Sequence, residues 1–140
     1  AATSGGVAVS KNAGSTWNMY TSEHGLPSGE MKKLSVSGKY IYLMTSSGLY
    51  VSDNYGKEWT SHAIDQSLVG HGYGDVAADG SLLCVSTGRG LLVSTDAGES
   101  WVKYSDFDGL GSSIVQGLWI DDFKIYAATS QGLSVAQYTN

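Results

Sequence analysis

A 42-residue repeat runs through the chain and constrains its fold more than any other feature of the sequence. Trp17, Trp59 and Trp101 follow one another at intervals of 42 residues without a gap. Other residues keep the same period, namely Gly6, Gly48, Gly90 and Gly132, Val9, Val51, Val93 and Val135, Leu26, Leu68 and Leu110, and Thr3, Thr45, Thr87 and Thr129. A fixed period of this length indicates stacked units, each of which needs its neighbours to bury an apolar face.

Each repeat predicts four short antiparallel strands. In residues 31–61, apolar and polar residues alternate in short bursts separated by turn signals, as expected for strands with one buried face. We place the strands at 33–37, 40–45, 49–52 and 59–62. The dipeptide Asp79-Gly80 is a strong hairpin signal between the first and second strands, because glycine accepts a positive φ without steric cost. The 19 glycines and single proline also favour short strands over long helices.

The strand pattern predicts an all-β fold. Along the chain it gives thirteen strands: strands three and four of a first unit, two complete units, and strands one to three of a last unit. Four-stranded units at this period are typical of β-propeller blades. We therefore predict one repeat domain, 1–140, with about three blades, divided into partial blade 1–24, blade 25–66, blade 67–108 and partial blade 109–140. A β-trefoil is the alternative, although it needs only twelve strands.

A recurrent motif precedes each tryptophan. Residues 10–17, 52–59 and 94–101 have the sequences SKNAGSTW, SDNYGKEW and STDAGESW. They resemble the S-x-D-x-G-x-x-W Asp-box, or BNR repeat, of β-propellers of the sialidase-like and photosystem assembly factor-like type. Two of the copies have asparagine where the pattern prefers aspartate. The motif positions are Ser10, Asn12, Gly14 and Trp17, then Ser52, Asn54, Gly56 and Trp59, and finally Ser94, Asp96, Gly98 and Trp101.

We predict a structural role for all three motifs. An asparagine or aspartate in such a turn accepts hydrogen bonds from backbone N–H groups, and the glycine takes a left-handed conformation. The tryptophan then buries a large apolar surface. Exposed tryptophans stacking on sugars are the functional alternative, but the resemblance implies that these turns lie away from the family's substrate pocket.

The sequence argues against sialidase chemistry. The resemblance implies a site with three arginines, a tyrosine–glutamate pair and an acidic proton donor, whereas this chain has the single arginine Arg89. Another type of glycosidase needs two carboxyl groups facing each other across a cleft. Asp106 with Asp108 and Glu23 with Glu30 are the candidates, and we interpret them as solvated turn residues. We predict no catalytic residues, and a non-enzyme is favoured.

No metal or cofactor is predicted. The histidines His24, His62 and His71 lack the spacing of zinc ligands, and the lone Cys84 lies in an apolar run, where a cysteine acts as a small buried hydrophobe. The segment 86–90 is rich in glycine, but no helix follows it, so it predicts a tight turn and not a phosphate-binding loop.

Charge and hydropathy limit the possible partners. Eight basic residues against thirteen acidic ones give a net charge of −5, which does not suit a phosphate backbone. No apolar run approaches the ~20 residues that cross a bilayer. We therefore predict neither nucleic acid nor membrane as a partner, and expect a protein or glycan ligand. The compartment stays open, with a secreted or periplasmic one favoured and any signal peptide removed or outside this chain.

One face of the predicted propeller carries the residues that vary between repeats. It contains the loops from strand four to strand one and from strand two to strand three, opposite the motif turns. Non-repeating polar and aromatic residues on a repeating scaffold are candidates for binding. The candidates on this face are His24, Glu30, His71, Tyr73, Arg89, Asp106 and Phe107. Trp119, on an inner strand, either fills space or points toward a central channel.

These observations predict a non-catalytic binding or scaffold module. Because known propeller rings have roughly four to eight blades, about three blades do not close a ring. We expect either a homo-oligomer, such as a dimer with about six blades, or the remainder of a longer propeller to complete it. The alternative function is a fragment of a larger carbohydrate-active, glycoside hydrolase-like or glycan-binding propeller.

Overall fold

Fourteen antiparallel strands make up the part of the chain that this computed structural model describes, residues 1–65, 67 and 72–138. They form four separate sheets in chain order. Sheet I contains β1 (Ala2–Thr3), β2 (Gly6–Val9) and β3 (Asn18–Tyr20), and sheet II contains β4 (Met31–Ser37), β5 (Tyr40–Thr45), β6 (Gly48–Ser52) and β7 (Thr60–His62). Sheet III contains β8 (Tyr73–Asp79), β9 (Leu82–Thr87), β10 (Gly90–Ser94) and β11 (Val102–Tyr104), and sheet IV contains β12 (Val115–Asp121), β13 (Lys124–Thr129) and β14 (Gly132–Gln137).

This arrangement confirms the predicted fold class. Within each sheet, strands that are consecutive in sequence are paired as neighbours, which is the topology of a propeller blade and not of a β-trefoil. Two 3₁₀ turns, Ser22–His24 and Asp106–Asp108, lie between successive sheets. No helix in the described ranges is long and apolar enough to cross a membrane. The predicted boundaries between blades stay predictions.

The described residues contain one strand more than the predicted thirteen. The additional strand is β1, in which Ala2 and Thr3 pair with Val7 and Gly6. It repeats strand two, as the recurrence of the Ala-Ala-Thr-Ser sequence of residues 1–4 at 127–130 indicates. Strand four also begins one residue later than predicted, at Thr60 and not at Trp59, because the tryptophan belongs to the preceding turn.

Alternation along the strands directs apolar side chains to both faces of the inner sheets, and three clusters form between successive sheets. The cluster between sheets I and II contains Val7, Leu26, Ile41, Leu43 and Trp59. The cluster between sheets II and III includes Tyr42, Met44, Leu49, Leu83, Val85 and Leu92. The cluster between sheets III and IV includes Leu82, Cys84, Leu91, Leu110, Ile125 and Ala127.

The repeated threonine closes the turn between strands two and three. In sheet II, Thr45 Oγ1 accepts a hydrogen bond from the Ser47 N–H at 3.1 Å and donates to the Gly48 carbonyl at 2.9 Å. Gly48 has φ +136, a value that favours glycine. Thr87 and Thr129 make the same pair of bonds. The 42-residue recurrence of threonine and glycine therefore has a local hydrogen-bonding cause.

Side chains on the inner strands hold successive sheets together. Ser35 Oγ in β4 accepts a hydrogen bond from the Ala78 N–H in β8 at 3.0 Å. Asp75 Oδ2 in β8 accepts one from the Leu118 N–H in β12 at 2.9 Å. These bonds join strand one of sheet II to that of sheet III, and strand one of sheet III to that of sheet IV.

Candidate functional site

Phe107 is the most exposed large hydrophobic residue in the described part of the chain. It lies at the centre of the 3₁₀ turn Asp106–Asp108, and 96% of its surface is accessible. Ile114, at the far end of the same loop, is also exposed. An aromatic side chain held in water contributes nothing to the core and is accessible to a partner.

Hydrogen bonds fix the turn that carries Phe107. Asp108 Oδ2 accepts from the Ser105 N–H at 2.9 Å and from its hydroxyl at 2.8 Å. Ser113 Oγ accepts from the Asp106 N–H at 3.2 Å and donates to Asp106 Oδ1 at 2.8 Å. The S-x-x-D pattern of residues 105–108 is the capping signal that could have revealed this turn in the sequence. The exposed ring is thus presented by a turn with little freedom.

The carboxyl groups of this loop are structural acceptors. The hydrogen bonds from Ser105 hold the pKa of Asp108 below its ordinary value, with a smaller contribution from the positive charge of Lys103. A glycosidase proton donor needs the opposite shift, a raised pKa. Asp108 is therefore poorly suited to donate a proton to a leaving group.

His24 lies at the corresponding position of the first 3₁₀ turn. Its Nδ1 accepts a hydrogen bond from the Thr21 N–H at 3.2 Å, and its ring meets that of Tyr20 edge to face at 5.1 Å between centroids. Its carbonyl oxygen accepts from the Trp59 N–H at 3.0 Å. These contacts give His24 a role in joining sheets I and II.

The remaining loop candidates do not form one described cluster. Glu30 is exposed, and its carbonyl accepts from the Ser46 N–H at 3.2 Å. Arg89, in the turn between β9 and β10, donates from Nη1 to the Ser67 carbonyl at 3.2 Å. Only the backbone of Tyr73 is described, at the start of β8, and His71 lies outside the described residues. No described contact joins these three candidates to the turn that carries Phe107.

Trp119 is not on the loop face. Leu118 and Ile120 lie on one face of sheet IV, and Trp119 lies on the other. Trp119 is paired with Tyr126 of β13, and Tyr126 is paired with Val135 of β14. Trp119 is 67% exposed, so it fills no buried space in the described structure. Alternation along β12 directs its side chain away from sheet III, and the position toward a central channel stays a prediction.

The three serine-to-tryptophan turns, residues 10–17, 52–59 and 94–101, share one hydrogen-bond pattern. In the second, Ser52 Oγ accepts from the Gly56 N–H at 2.8 Å, and Asn54 Oδ1 accepts from the Glu58 N–H at 3.0 Å. The other two turns make the same bonds at 2.7–2.9 Å, through Ser10 and Asn12 and through Ser94 and Asp96. In each turn the glycine and the residue before it both have positive φ, so two successive residues are left-handed and not one.

The three tryptophans of these turns differ in burial. Trp59 is 4% exposed and lies in the cluster between sheets I and II, and Trp101 is partly buried against the next cluster. Trp17 is 55% exposed, contrary to the expectation of a buried surface, because no described sheet precedes sheet I. Burial of these rings therefore depends on the adjacent sheet and not on the turn itself.

Metal ligands are not grouped in the described residues. No cluster of three or more histidine, cysteine, aspartate or glutamate side chains within residues 1–65, 67 and 72–138 could hold an ion. Cys84 is fully buried, and burial raises the pKa of its thiol to about 12. That thiol is correspondingly unreactive at neutral pH.

The comparisons with known proteins agree on the fold. The DUF6242 beta propeller domain matches residues 2–132, and no curated protein sequence matches the chain. YCF48 from Cyanidioschyzon merolae is similar in structure, with 17% identity and a TM-score of 0.67 over 94% of this chain and 47% of that one. A structure described as YCF48 bound to D1 peptide has 17% identity and a TM-score of 0.65 over 91% and 43%.

A xyloglucanase of the GH74 type is also similar. The enzyme, from Xanthomonas campestris, has 20% identity and a TM-score of 0.59 over 79% of this chain and 17% of its own. The chain therefore spans less than half the length of each of these three proteins. At these identities the likeness shows a shared propeller fold alone.

Proposed function

Because this chain belongs to the DUF6242 beta propeller domain family, we propose that it is a non-catalytic propeller segment that binds a protein partner through the loop containing Phe107. The observation that carries the proposal is the 96% exposure of this ring on a turn fixed by hydrogen bonds. A rigid aromatic anchor loses little conformational entropy on binding, and aromatic residues are enriched among the side chains that dominate interfaces. That a propeller of this fold is described as bound to a peptide supports a protein ligand.

The competing function is a segment of a larger carbohydrate-active propeller, which the likeness to a GH74 enzyme raises. Asp106 and Asp108, one of its two candidate carboxyl pairs, bond to Ser113 and to Ser105 within their own loop. The lowered pKa of Asp108 opposes a role as proton donor. These contacts favour the non-catalytic proposal.

The same proposal assigns the three serine-to-tryptophan turns as Asp-boxes with a structural role. The serine and the asparagine or aspartate of each turn accept bonds from backbone N–H groups of that turn. In the second turn, the Trp59 indole N–H donates to the Gly56 carbonyl at 3.0 Å. Side chains engaged in this way stabilise the turn and have little capacity left for a ligand.

We further propose that a second copy of the chain completes the ring. Sheet IV leaves Trp119, Leu133 and Val135 exposed, and sheet I leaves Trp17 and Met19 exposed. Faces of this kind are covered by the neighbouring sheet elsewhere in the chain. Sheet I corresponds to strands two to four of a blade, and sheet IV corresponds to strands one to three. A single blade made from both sheets would therefore contain strands two and three twice. Two copies would therefore give a ring of about eight sheets and not about six.

The binding proposal is tested with phage-displayed random peptides selected on the immobilised protein. We expect selected peptides to lose at least ~10-fold in affinity on the Phe107→Ser variant, because the anchor ring is absent. Val102→Ser, which removes another exposed apolar side chain from β11, is the control and should bind as the unaltered protein does. Equal affinities for both variants, or binding only to sugars on a glycan array, would contradict the proposal.

The assembly proposal has a separate test, sedimentation velocity. We expect a dimer whose Trp119→Lys variant is monomeric, since a charge on the open face of sheet IV opposes its burial. Phe107→Ser should leave the dimer intact. A monomer at all concentrations would contradict assembly while leaving the peptide experiment interpretable.

A further inference from the structure

Two loops of the chain, 21–30 and 105–114, share one backbone arrangement two repeats apart. The first connects sheet I to sheet II, and the second connects sheet III to sheet IV. In each loop the N–H of the first residue donates to a side chain three positions later, to Nδ1 of His24 or to Oδ2 of Asp108. Each 3₁₀ turn ends at a glycine, with φ +89 in one loop and +92 in the other. Differences between the loops therefore lie in their side chains.

Two exposed positions change from acidic to apolar between these loops. Phe107 and Ile114 stand where the earlier loop has Glu23 and Glu30. Phe107 is 96% exposed and Ile114 is 63% exposed, and both glutamates are exposed as well. Because sheets II and III follow the earlier loop, these positions are exposed even where further sheets are present. The exposure of the two apolar side chains thus belongs to their positions in the loop.

Hydrogen bonds connect the backbone segments that carry Phe107 and Ile114. Ser113 Oγ accepts from the Asp106 N–H at 3.2 Å and donates to Asp106 Oδ1 at 2.8 Å. These bonds join the residue before Phe107 to the residue before Ile114. The Ile114 carbonyl accepts from the Ser130 N–H at 3.0 Å, which fixes the end of the loop. The two apolar side chains therefore belong to one small surface on a held backbone.

Two carboxylates flank Phe107 in the sequence. Asp106 Oδ1 accepts from the Ser113 hydroxyl, and Asp108 Oδ2 accepts from Ser105. No described residue donates a hydrogen bond to Asp106 Oδ2 or Asp108 Oδ1, and the loop itself contains no lysine, arginine or histidine. Carboxylates pair with cations, and the face of a phenyl ring attracts them too. The surroundings of Phe107 therefore suit a positively charged group.

We propose that this surface, the Phe107–Ile114 patch, binds a segment of a partner protein in which arginine or lysine lies beside apolar residues. The apolar residues of the partner cover Phe107 and Ile114, and its cation pairs with Asp106 and Asp108. Complementary charge of this kind favours one class of partner and opposes an acidic peptide or an anionic lipid surface. The inference rests on the proposed binding role of the Phe107 loop and adds the chemistry of the partner and a second anchor.

The chemistry of the partner is tested with random phage-displayed peptides selected on the immobilised protein. Only peptides that the Phe107→Ser variant fails to bind are counted, and their composition is compared with the unselected library. We expect arginine and lysine beside apolar residues to be enriched at least ~3-fold, because the patch joins carboxylates to apolar side chains. No enrichment, or enrichment of acidic residues, would overturn the proposal. The most enriched peptide, synthesised with a fluorescent label, is the probe for anisotropy measurements.

Two variants at Ile114 test the second anchor. Ile114→Glu introduces the residue that Glu30 provides in the earlier loop, so the backbone accommodates it. It removes the apolar contact and should weaken the labelled peptide at least ~10-fold, whereas attraction by charge alone would strengthen a basic peptide. Ile114→Val keeps an apolar side chain and should bind within ~3-fold of the unaltered protein. Unchanged or stronger binding to Ile114→Glu would overturn the proposal.

Asp106→Asn tests the charge. The amide oxygen can still accept from the Ser113 hydroxyl, so the turn is kept while the negative charge is lost. We expect ~3–10-fold weaker binding at low ionic strength and a smaller loss of affinity on adding salt. Glu23→Gln makes the same change of charge in the earlier loop and is the matched control, which should bind as the unaltered protein does. Circular dichroism melting curves establish that each variant is folded, and equal affinities for Asp106→Asn and Glu23→Gln would refute the charge pairing.

Vesicles of phosphatidylserine and phosphatidylcholine test a lipid surface as the alternative occupant. We expect no co-sedimentation of the protein with them, and co-sedimentation that Phe107→Ser abolishes would replace the proposed protein partner by a membrane. If no selected peptide depends on Phe107, both the proposed function and this inference are rejected. If peptides depend on Phe107 but bind the Ile114 and Asp106 variants unchanged, this inference fails and the proposed function stands.

Discussion

His62 Nε2 lies 2.8 Å from the carbonyl oxygen of Gly98, in the next sheet along the chain. Because a carbonyl oxygen only accepts, Nε2 carries the hydrogen. In the two preceding turns the equivalent carbonyl accepts from the indole N–H of Trp17 or Trp59 at 3.0 Å. The buried Nε1 of Trp101 has no hydrogen-bond partner among the residues that the structure describes. A contact between sheets has thus replaced a bond within the turn.

Gly98→Ala should cost more stability than the same change at Gly109. Both glycines are left-handed, with φ +99 and +92, so an alanine at either position costs ~1–2 kcal/mol of backbone strain. At Gly98 the new Cβ would also overlap the His62 ring, which brings the cost to ~2–4 kcal/mol. Urea unfolding measures both free energies. The double variant with His62→Ala should recover ~1 kcal/mol or more, and equal costs at the two glycines would refute the contact.

Trp59→Ala should destabilise the protein far more than Trp17→Ala. The first change removes a buried indole from the cluster between sheets I and II and should cost ~3–5 kcal/mol. The second removes a ring that is 55% exposed and should cost at most about 1.5 kcal/mol. Chemical denaturation of the two variants gives the comparison. Similar losses would show that the turn, and not the neighbouring sheet, stabilises the ring.

Asp96→Asn should flatten the dependence of stability on pH in acid. Hydrogen bonds from Ser100 and Ser94 lower the pKa of Asp96 to about 2, from an ordinary value of 3.8. The carboxylate therefore stabilises the fold fully above about pH 4, and the contribution is lost as pH falls toward 2. Asn12 and Asn54 show that the amide fits this turn, so the variant should be folded at neutral pH.

Unfolding by urea at a series of pH values from 5 to about 2 measures this effect. Asp53→Asn, which changes an exposed carboxylate in the turn of residues 52–59, is the control and should keep the slope of the unaltered protein. The lowered pKa of Asp108 acts in the same direction, so some slope will persist in Asp96→Asn. An unchanged curve for Asp96→Asn would show that this carboxylate is not engaged in the turn.

Cys84 should be inert to thiol reagents in the native protein. Burial raises the pKa of its thiol to about 12, so almost no thiolate is present near pH 8, and the side chain has no exposed surface. A disulfide reagent should label Cys84 only after denaturant is added. The absorbance of the thiol that the reagent releases measures the extent of labelling. Rapid labelling of the native protein would mean that sheets III and IV separate readily.

The sequence predicted the sheets well because their causes are local. The threonine of each turn makes hydrogen bonds to residues at most three positions away, as Thr45 does with Ser47 and Gly48. The repeated residues therefore indicate both the period and the positions of the turns. Trp119 was predicted on an inner strand, where β12 has it, but its face of sheet IV was not predicted, because that face depends on the bulge between Val115 and Gly117. Phe107 was predicted as a loop residue, but its near-complete exposure appeared only in the structure.

The amino-acid sequence by itself determined the repeat, the strands and the hydrogen bonds inside each turn, because those interactions join residues close together in the chain. Only the tertiary structure decided which equivalent residues are buried. Trp17, Trp59 and Trp101 occupy the same place in three similar turns, yet their environments differ with the sheet beside them. Burial depends on atoms supplied by another repeat, and a periodic sequence does not show which repeats have a neighbour.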